Sequence, residues 1–450
     1  MKFQHMTSPN TNQGLEAAFA RREVTPQKPT QLVGYPHVER IFTGVHDPLY
    51  ASALVLRHGA STVAVVSFDL IFVSPDFTRE CREHITRATG IPAENILLHA
   101  THTHSGPVTL DLFLFKADGV VPPPDPEYLQ YVRDQAVAAV TEAWRNLQPC
   151  EAAWTTADVK GLAGGNRIDA NGAEDPEAGL LIVRRRDDHK PVAVLSVYSM
   201  HPTVLHEDSK LISGDFIAFA RQEIEKAFPG AGAVYLNGTA GNQSPRRVVR
   251  GQTFAEAERL GGALGRRMVE SLKAARDFRA DFPIAARSEL IPLEGKKFPP
   301  VAEAQTVLDA ANRNFEKLKA DNAGHAPIRT AECTVFGAEK LVLWATAEES
   351  GVAEALRQKY SRCEVQVLKL GTSLLAAWPG EFFVEFGLEA KKRAKMPLFV
   401  ASYSNGELHG YIVTPEAAKA GGYEAQNSLF PPSVGTQYVD TTLRLAESLA

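Results

Sequence analysis

The stretch Asn95-Ile-Leu-Leu-His-Ala-Thr-His-Thr-His-Ser-Gly-Pro107 joins an apolar run to a polar tip that carries two histidines. Residues 96–100 predict a buried strand, and Ser105-Gly106-Pro107 predict its end, because glycine and proline interrupt regular structure. Alternate side chains of an extended segment share one face, so we expect His102 and His104 to point the same way. Two imidazoles at a strand end indicate a metal site. The alternative is a pair of polar residues bonded to the backbone or to water.

Size and composition bound the class of protein. A chain of 450 residues can bury a large core and form one or two domains. Its 44% hydrophobic and 22% charged residues are usual for a soluble globular protein. The formal net charge of -5 gives no general basic surface, so we expect no nucleic-acid partner. The four cysteines have no Cys-x-x-Cys spacing, which argues against a disulfide framework and a thiolate zinc site.

The sequence shows no targeting or membrane signal. No apolar run approaches the length of a transmembrane segment, and residues 1–13 lack the apolar centre of a secretory signal. We therefore expect a cytoplasmic location for the chain as given, and a secreted or periplasmic location if it is a processed form. We predict that the polar residues 1–29 are a tail and that residues 30–450 form one catalytic domain, with 284–300 as the best candidate for a boundary.

Apolar strands alternate with amphipathic helices along the chain. This order predicts a mixed α/β fold in which helices flank one or more mixed sheets. Residues 110–128 are apolar and rich in proline; they predict a loop that forms either a substrate wall or a flap on the core. The predicted strands are 51–57, 62–73, 96–100, 152–159, 180–184, 192–198, 233–236, 364–370, 373–377 and 398–402, and the predicted helices are 75–89, 127–146, 216–228, 254–275, 301–319 and 382–395.

Four further stretches end an apolar strand in a small, polar turn. His201 precedes a proline, Ser244 follows a glycine-rich turn that can form an oxyanion hole, Glu381 begins a helix, and Tyr411 lies in a polar loop. Singly, these residues could be a core histidine, a helix-capping acid and two bonded hydroxyls. Together they are the groups that a zinc hydrolase of mixed α/β build requires. Zinc takes nitrogen and oxygen ligands with one position open, and it makes water acidic enough to attack a carbonyl.

The stretch Ala100-Thr-His-Thr-His-Ser-Gly-Pro107 resembles the signature of the neutral ceramidase family, zinc-dependent amidases that cleave the N-acyl bond of ceramides. The likeness continues in order from about Gly34 to the C-terminus and implies a ceramidase-like fold and a role in sphingolipid metabolism. The other matching segments are Gly44-Val-His-Asp-Pro-Leu-Tyr-Ala-Ser-Ala53, Gly165-Asn-Arg167, His201-Pro-Thr203, Gly241-Asn-Gln-Ser-Pro245, Pro379-Gly-Glu-Phe382 and Tyr411-Ile-Val-Thr414.

The resemblance implies a set of metal ligands. Carried over position by position, it predicts a Zn²⁺ ion bound by His102, His201, Glu381 and Tyr411. A tyrosine ligand is unusual, and the residue pattern alone does not select it. The expected substrate is a small-molecule N-acyl compound, a class that includes lipids, and the oligomeric state is left open.

The resemblance also implies catalytic roles. His104 and Arg167 would orient the substrate and, with Tyr411, stabilise the developing oxyanion. Ser244 takes the position of the family's catalytic serine. It could be the nucleophile, or it could position the amide or shuttle a proton while an activated water attacks.

Three departures from the family pattern bear on the substrate. Val108-Thr109 replace a glycine pair, Asn242 replaces an aspartate, and we expect a short form without the C-terminal immunoglobulin-like domain. We therefore predict an amidase acting on linear amides, whose substrate need not be ceramide. Two rival hypotheses are a zinc hydrolase of another class, such as an amidohydrolase barrel, and a non-catalytic metal- or lipid-binding domain that uses the apolar wall at 110–115.

Overall fold

Two β-sheets lie face to face in the computed structural model, which describes residues 14–449, and helices cover both outer surfaces. The strands are β1 (Leu15–Glu23), β2 (Gly44–Val45), β3 (Tyr50–His58), β4 (Ser61–Phe68), β5 (Ile96–Ala100), β6 (Gln148–Asp158), β7 (Gly165–Asn166), β8 (Glu177–Arg185), β9 (Pro191–Tyr198), β10 (Leu211–Ile212), β11 (Gly232–Asn237), β12 (Gln243–Ser244), β13 (Ile284–Pro292), β14 (Arg362–Leu370), β15 (Ser373–Ala377), β16 (Glu381–Phe382), β17 (Leu398–Ala401) and β18 (Tyr411–Ile412).

The helices alternate with these strands. Among residues 14–449, no helix is both long enough and apolar enough to cross a lipid bilayer. The helices are α1 (Pro75–Thr89), α2 (Pro126–Arg145), α3 (Phe216–Ala227), α4 (Phe254–Ala274), α5 (Val301–Ala320), α6 (His325–Glu349), α7 (Val352–Lys359), α8 (Val384–Arg393), α9 (Pro415–Ala420), α10 (Tyr423–Gln426) and α11 (Ser433–Glu447), with 3₁₀ turns at Ala93–Asn95, Phe113–Ala117 and Pro245–Arg247.

The larger sheet has the strand order β11-β9-β8-β6-β1-β3-β4-β5, and the smaller sheet has the order β13-β14-β15-β17. Neighbouring strands are antiparallel except for the parallel pairs β9–β11, β4–β5 and β15–β17. Successive side chains of a strand point to opposite faces, and the core follows that period. Leu54 and Leu56 of β3 share a core with Leu368 and Leu375 of the smaller sheet, whereas Val55 faces the helical side.

The larger sheet curls until its two edge strands meet. The Ser67 hydroxyl of β4 donates a hydrogen bond to the main-chain oxygen of Tyr235 in β11, at 2.6 Å. The main-chain N–H of Asn237, at the end of β11, donates to Nε2 of His99 in β5, at 2.8 Å. The loops that follow β5 and β9 therefore lie on the same side of the molecule and close to each other.

The predicted fold class is confirmed, but the predicted tail is wrong from Leu15 onward. Strand β1 lies inside the larger sheet between β6 and β3, and Ala17 and Ala18 are buried on its two faces. The alanines and the charged end of this strand give a weak apolar signal, which explains the error. Residues 1–13 of the predicted tail lie outside the described residues, and the extent of the catalytic domain, 30–450, remains a prediction.

Helices α6, α7 and α11 and strand β13 were absent from the sequence-based prediction. Strand β13 occupies the start of the proposed boundary at 284–300 and pairs with β14 along its whole length. The apolar loop at 110–128 packs on the core, because Leu110, Leu112 and Leu114 are all buried. This arrangement favours the flap over the substrate wall for these three side chains.

Candidate active site

Three imidazole rings converge in the gap between the curled sheet edges. His102 and His104 follow β5, and His201 follows β9. Nε2 of His102 lies 3.2 Å from Nε2 of His201 and 3.2 Å from Nε2 of His104. The three ligand atoms all lie within 4.8 Å of one another. His102 and His201 are buried, whereas His104 is partly exposed.

Each ring is oriented by a main-chain carbonyl oxygen. A carbonyl can only accept a hydrogen bond, so in each neutral ring the proton sits on Nδ1 and the lone pair of Nε2 faces the centre of the cluster. The pairs are His102 with Ile71 at 2.9 Å, His104 with Gly34 at 3.1 Å, and His201 with Ala240 at 2.7 Å.

From the sequence we predicted that the two histidines after β5 share one face of an extended strand. The structure brings them together in a different way. The strand ends at Ala100, and His102 has a φ of 68°, in the left-handed region. The rings of His102 and His104 are nearly perpendicular, at 84°, with centroids 4.8 Å apart. The turn at His102 therefore brings both Nε2 atoms to one point, which an extended strand would not do.

Glu381, at the start of β16, completes the buried cluster. Its Oε2 lies 3.2 Å from Nε2 of His201 and 3.5 Å from Nε2 of His102. Burial disfavours the charge of this carboxylate, so the charge requires a cationic neighbour. Burial, followed by the charge of Arg167, lowers the pKa of His201 to about 4, so the ring is neutral at physiological pH.

The residues of this cluster fit a divalent cation. Among the described residues, Oε2 of Glu381 has no hydrogen-bond partner. A buried carboxylate oxygen that faces the lone pairs of imidazoles is unfavourable unless a positive charge lies between them. Nitrogen and carboxylate oxygen donors at this spacing are the ligands that zinc accepts. A cation bound by these groups would therefore supply the partner that Oε2 of Glu381 lacks.

Tyr411 lies beside Glu381. Strands β16 and β18 are parallel, and Glu381 is opposite Tyr411 in their register. The guanidinium carbon of Arg167 lies 5.3 Å from the centroid of the Tyr411 ring, and its Nε donates to Glu424 at 2.8 Å. Burial raises the pKa of Tyr411 well above its usual value. The structure therefore brings the predicted tyrosine and arginine to the cluster, and coordination of an ion by Tyr411 remains a prediction.

Ser244 follows Gln243, whose backbone contacts the backbone of His201. It ends β12, is opposite Gly165 of β7, and its hydroxyl oxygen accepts a hydrogen bond from the Arg246 N–H at 3.1 Å. The neighbouring Gln243 accepts, through its main-chain oxygen, a bond from the His201 N–H at 3.4 Å. The serine is thus connected to the histidine loop through the backbone, and its catalytic role remains a prediction.

Residues 20–245 match the sequence model of a family described as neutral/alkaline non-lysosomal ceramidase, N-terminal. That match covers half of the chain. The chain belongs to the neutral/alkaline ceramidase family. It is 24% identical over 260 residues to neutral ceramidase A of Dictyostelium discoideum, a match that covers 52% of this chain and 36% of that protein. The matched region thus spans about a third of the length of that ceramidase.

Solved structures agree with the ceramidase family at the level of the fold. The crystal structure of neutral ceramidase from Pseudomonas aeruginosa is similar with a TM-score of 0.75 and 18% identity, over 97% of this chain and 75% of that chain. A ceramidase complexed with C2 gives a TM-score of 0.75 and 17% identity over the same shares. The ceramidase-like fold expected from the sequence is therefore confirmed.

Two supports of this ceramidase-family site were not found from the sequence. The buried ring of Tyr403 stacks on His102, with centroids 4.2 Å apart and an interplanar angle of 25°. Gly34 brings its backbone against His104: a Cβ at this position would lie 2.4 Å from Nδ1 of that ring. The contacts of both residues depend on the folded path of the chain, which no local pattern specifies.

Substituting Gly34 tests the placement of His104. In Gly34→Ala the new methyl group overlaps the ring, so His104 must turn away from the cluster. We expect kcat/KM for amide hydrolysis to fall by roughly tenfold, since small displacements of a catalytic group are costly. Gly59→Ala is the matched control, because Gly59 also has a positive φ but no atom within 4 Å of the added Cβ. Equal activity of the Gly34 variant and the control would contradict a role for His104.

Proposed function

We propose that this chain is a zinc-dependent hydrolase that cleaves the amide bond of an N-acyl compound, of which ceramide is one candidate. The observation that carries the proposal is the meeting of three imidazole Nε2 atoms with an unpaired, buried oxygen of Glu381. Membership of the ceramidase family supports the class of reaction.

The ligands we propose are the buried residues of the cluster. His102, His201 and Glu381 offer Nε2 and Oε2 atoms toward one point, and Tyr411 lies opposite Glu381 in the adjacent strand. When bound, zinc supplies Lewis acidity, which polarises a carbonyl and makes water acidic enough to react near neutral pH. His104 is partly exposed, and we assign it to the substrate side of the site rather than to the ligand set.

His104 and Arg167 would act on the reacting amide. The lone pair of His104 Nε2 can accept a proton, since Nδ1 already donates to Gly34, and the resulting imidazolium would stabilise negative charge on the former carbonyl oxygen. One terminal nitrogen of Arg167 is buried without a hydrogen-bond partner among the described residues. That N–H group is free to donate to a developing oxyanion, a contribution typically worth ~3–4 kcal/mol of barrier.

Ser244 would contribute its hydroxyl. Its oxygen accepts the bond from the Arg246 N–H, so its own hydrogen remains available to donate to the amide. In the nucleophilic role that proton would pass to Nε2 of His104 as the oxygen attacks the carbonyl carbon; return of the proton to the amide nitrogen would break the C–N bond and release the amine, and water would then hydrolyse the acyl-serine. Nucleophilic and positioning roles are both compatible with the proposal.

The proposal is tested with the purified chain, metal analysis and a panel of N-acyl amides that differ in acyl length and amine part. We expect about one zinc ion per chain, as in other mononuclear zinc hydrolases, and release of free fatty acid from at least one amide. A chelator should abolish the activity, and added zinc should restore it. A zinc-loaded chain that cleaves no amide or ester but binds an apolar ligand tightly would overturn the proposal in favour of a binding protein.

A further inference from the structure

The reacting groups of the proposed site are covered by the rest of the chain. Ser244 and Tyr411 are each 5% exposed, and the side chains of Glu381 and Arg167 are 8% and 10% exposed. Of the three imidazoles, that of His104 alone is partly exposed. A reacting amide must come within about 3–3.5 Å of its nucleophile. A covering segment therefore has to move before a fatty N-acyl compound can bind.

Helix α6 makes polar contacts with two chain segments near the histidines. Nη2 of Arg329, in the first half of the helix, lies 3.2 Å from Oε2 of Glu207, which follows His201 by six residues. Further along α6, Oε2 of Glu339 lies 2.8 Å from Nε2 of His37. The helix thus joins two segments that are distant in the sequence.

Both of these segments border His104. The main-chain oxygen of Gly34, three residues before His37, lies 3.1 Å from Nδ1 of His104. The ring of Tyr35 packs against His104 and His206, with centroid distances of 5.4 and 4.3 Å. The polar contacts of α6 are therefore made beside the imidazole that is partly exposed.

The same helix reaches the Tyr411 side of the site through α10. A Cβ at Gly337 would lie 2.8 Å from Cα of Tyr423, and the ring centroids of Tyr423 and Tyr411 lie 5.8 Å apart. Residues eight apart in a helix lie close to one face, so Arg329 and Gly337 present a common side of α6. That side extends from the His201 segment to the neighbour of Tyr411.

Helices α5 and α6 form a hairpin that is largely separate from the two sheets. Helix α5 packs principally on α6. The stack of Phe298 on the fully buried Trp344, with centroids 4.8 Å apart and rings 3° from parallel, anchors the base of the hairpin. Farther from this base the two helices share a small apolar core of their own, formed by Ala311, Val335 and Ala338 with Val307, Leu308 and Phe315.

We infer that the α5–α6 hairpin is a lid, which tilts about its base at Phe298 and Trp344 to admit the substrate and closes over the bound amide. This inference rests on the proposed function. The ion pair of Arg329 with Glu207 and the contact of Glu339 with His37 join partly exposed side chains, and such contacts are individually weak. They can therefore break and form again in each cycle, and closure excludes water from the reacting amide.

A cross-link that holds the hairpin closed tests the lid. We introduce Glu207→Cys and Arg329→Cys together with Cys333→Ser, because Cys333 is partly exposed whereas the other three cysteines are buried. Joining the two new thiols with a short bismaleimide should lower kcat/KM for the best amide of the panel by about 20-fold or more. Zinc content should not change. Full activity of the cross-linked chain would overturn the lid and leave the proposed function standing.

Two controls separate tethering from modification of the surface. N-ethylmaleimide modifies the same two thiols without joining them and should leave the activity unchanged. Arg22→Cys with Glu142→Cys, also in the Cys333→Ser background, replaces an exposed ion pair between β1 and α2, and its cross-link should be harmless. A loss of activity as large in either control as in the tethered chain would overturn the lid.

A distance measurement tests the lid without turnover. If no amide is hydrolysed, the proposed function fails, but pulsed electron paramagnetic resonance can still follow the hairpin in the chelator-treated chain. Nitroxide labels are attached after Glu316→Cys on α5 and Lys210→Cys, both at exposed positions, with Cys333→Ser.

We expect one main distance between the labels. Adding Arg329→Gln and Glu339→Gln, which weaken the polar contacts of the closed hairpin, should raise the population of longer distances by about threefold or more. The same distance distribution with and without these two changes would overturn the lid, whether or not the chain cleaves amides.

Discussion

Replacing His102 by alanine is expected to abolish metal retention and amide hydrolysis together. Nε2 of this ring lies 3.2 Å from both of the other imidazole nitrogens, so its loss removes the central donor of the cluster. A bound metal supplies several kcal/mol of transition-state stabilisation. Its loss should lower kcat/KM by about 10³-fold or more. The measurements are zinc content per chain and hydrolysis of the best amide of the panel.

A second histidine provides the control for this variant. His189 is exposed, and its Nδ1 contacts Glu151 at 2.9 Å, on a part of the surface that our proposal does not use. His189→Ala should keep its zinc and its activity. Full activity in a metal-free His102→Ala protein would contradict the proposal that His102 binds a catalytic metal. Loss of zinc in both variants would point to a general instability of the fold.

Replacing Glu381 by glutamine is expected to have the next largest effect. The amide keeps the shape of the side chain but loses the negative charge that faces the imidazoles, so affinity for a divalent cation should fall and kcat/KM should drop by about 10²-fold. The metal-free protein should respond in the opposite way. The glutamine NH₂ can donate to Nε2 of His201, which lies 3.2 Å from Oε2, and thus relieve the unfavourable contact of two lone pairs.

Two measurements and a control distinguish the ligand role of Glu381 from a structural one. Zinc content and turnover should fall, whereas the free energy of unfolding of the chelator-treated variant should equal or exceed that of the chelator-treated parent. Glu389→Gln, an exposed change on α8, should alter neither property. Wild-type zinc content in the Glu381 variant would show that this carboxylate is not a ligand, and a much lower stability without metal would indicate a structural role.

The sequence predicted best those elements whose start and end are both marked by local residues. Helix α1 runs from Pro75 to Thr89, as expected, because Ser74 caps its first turn and Gly90 takes the left-handed conformation at its end. Helix α6 was missed because it begins after Gly324 without a side-chain cap. Strand β1 was missed because its buried faces are largely alanine, whose burial depends on the neighbouring strands.

The candidate site, like the fold, was predicted only in part from the sequence. The sequence placed His102 and His201 at the ends of strands and Glu381 at the start of a helix. In the structure Glu381 begins strand β16 instead, and the three side chains come together. Their meeting depends on the curl of the larger sheet, through contacts between β4, β5 and β11 that no local pattern specifies. The φ of 68° at His102 is likewise fixed by its surroundings, since only the folded chain compensates for the strain of that conformation.

The acceptors that orient the three imidazoles are oxygens of the main chain, and every residue type provides that oxygen. Exchange of the side chains at Ile71 or Ala240 would leave the hydrogen bonds to His102 and His201 in place, provided that the backbone keeps its path. Ring orientation at this centre is thus robust to sequence drift, unlike in sites where carboxylates hold the histidines. Divergent homologues can preserve this ring orientation with few shared residues. To change the orientation by engineering, the loops that carry the carbonyl groups must be reshaped.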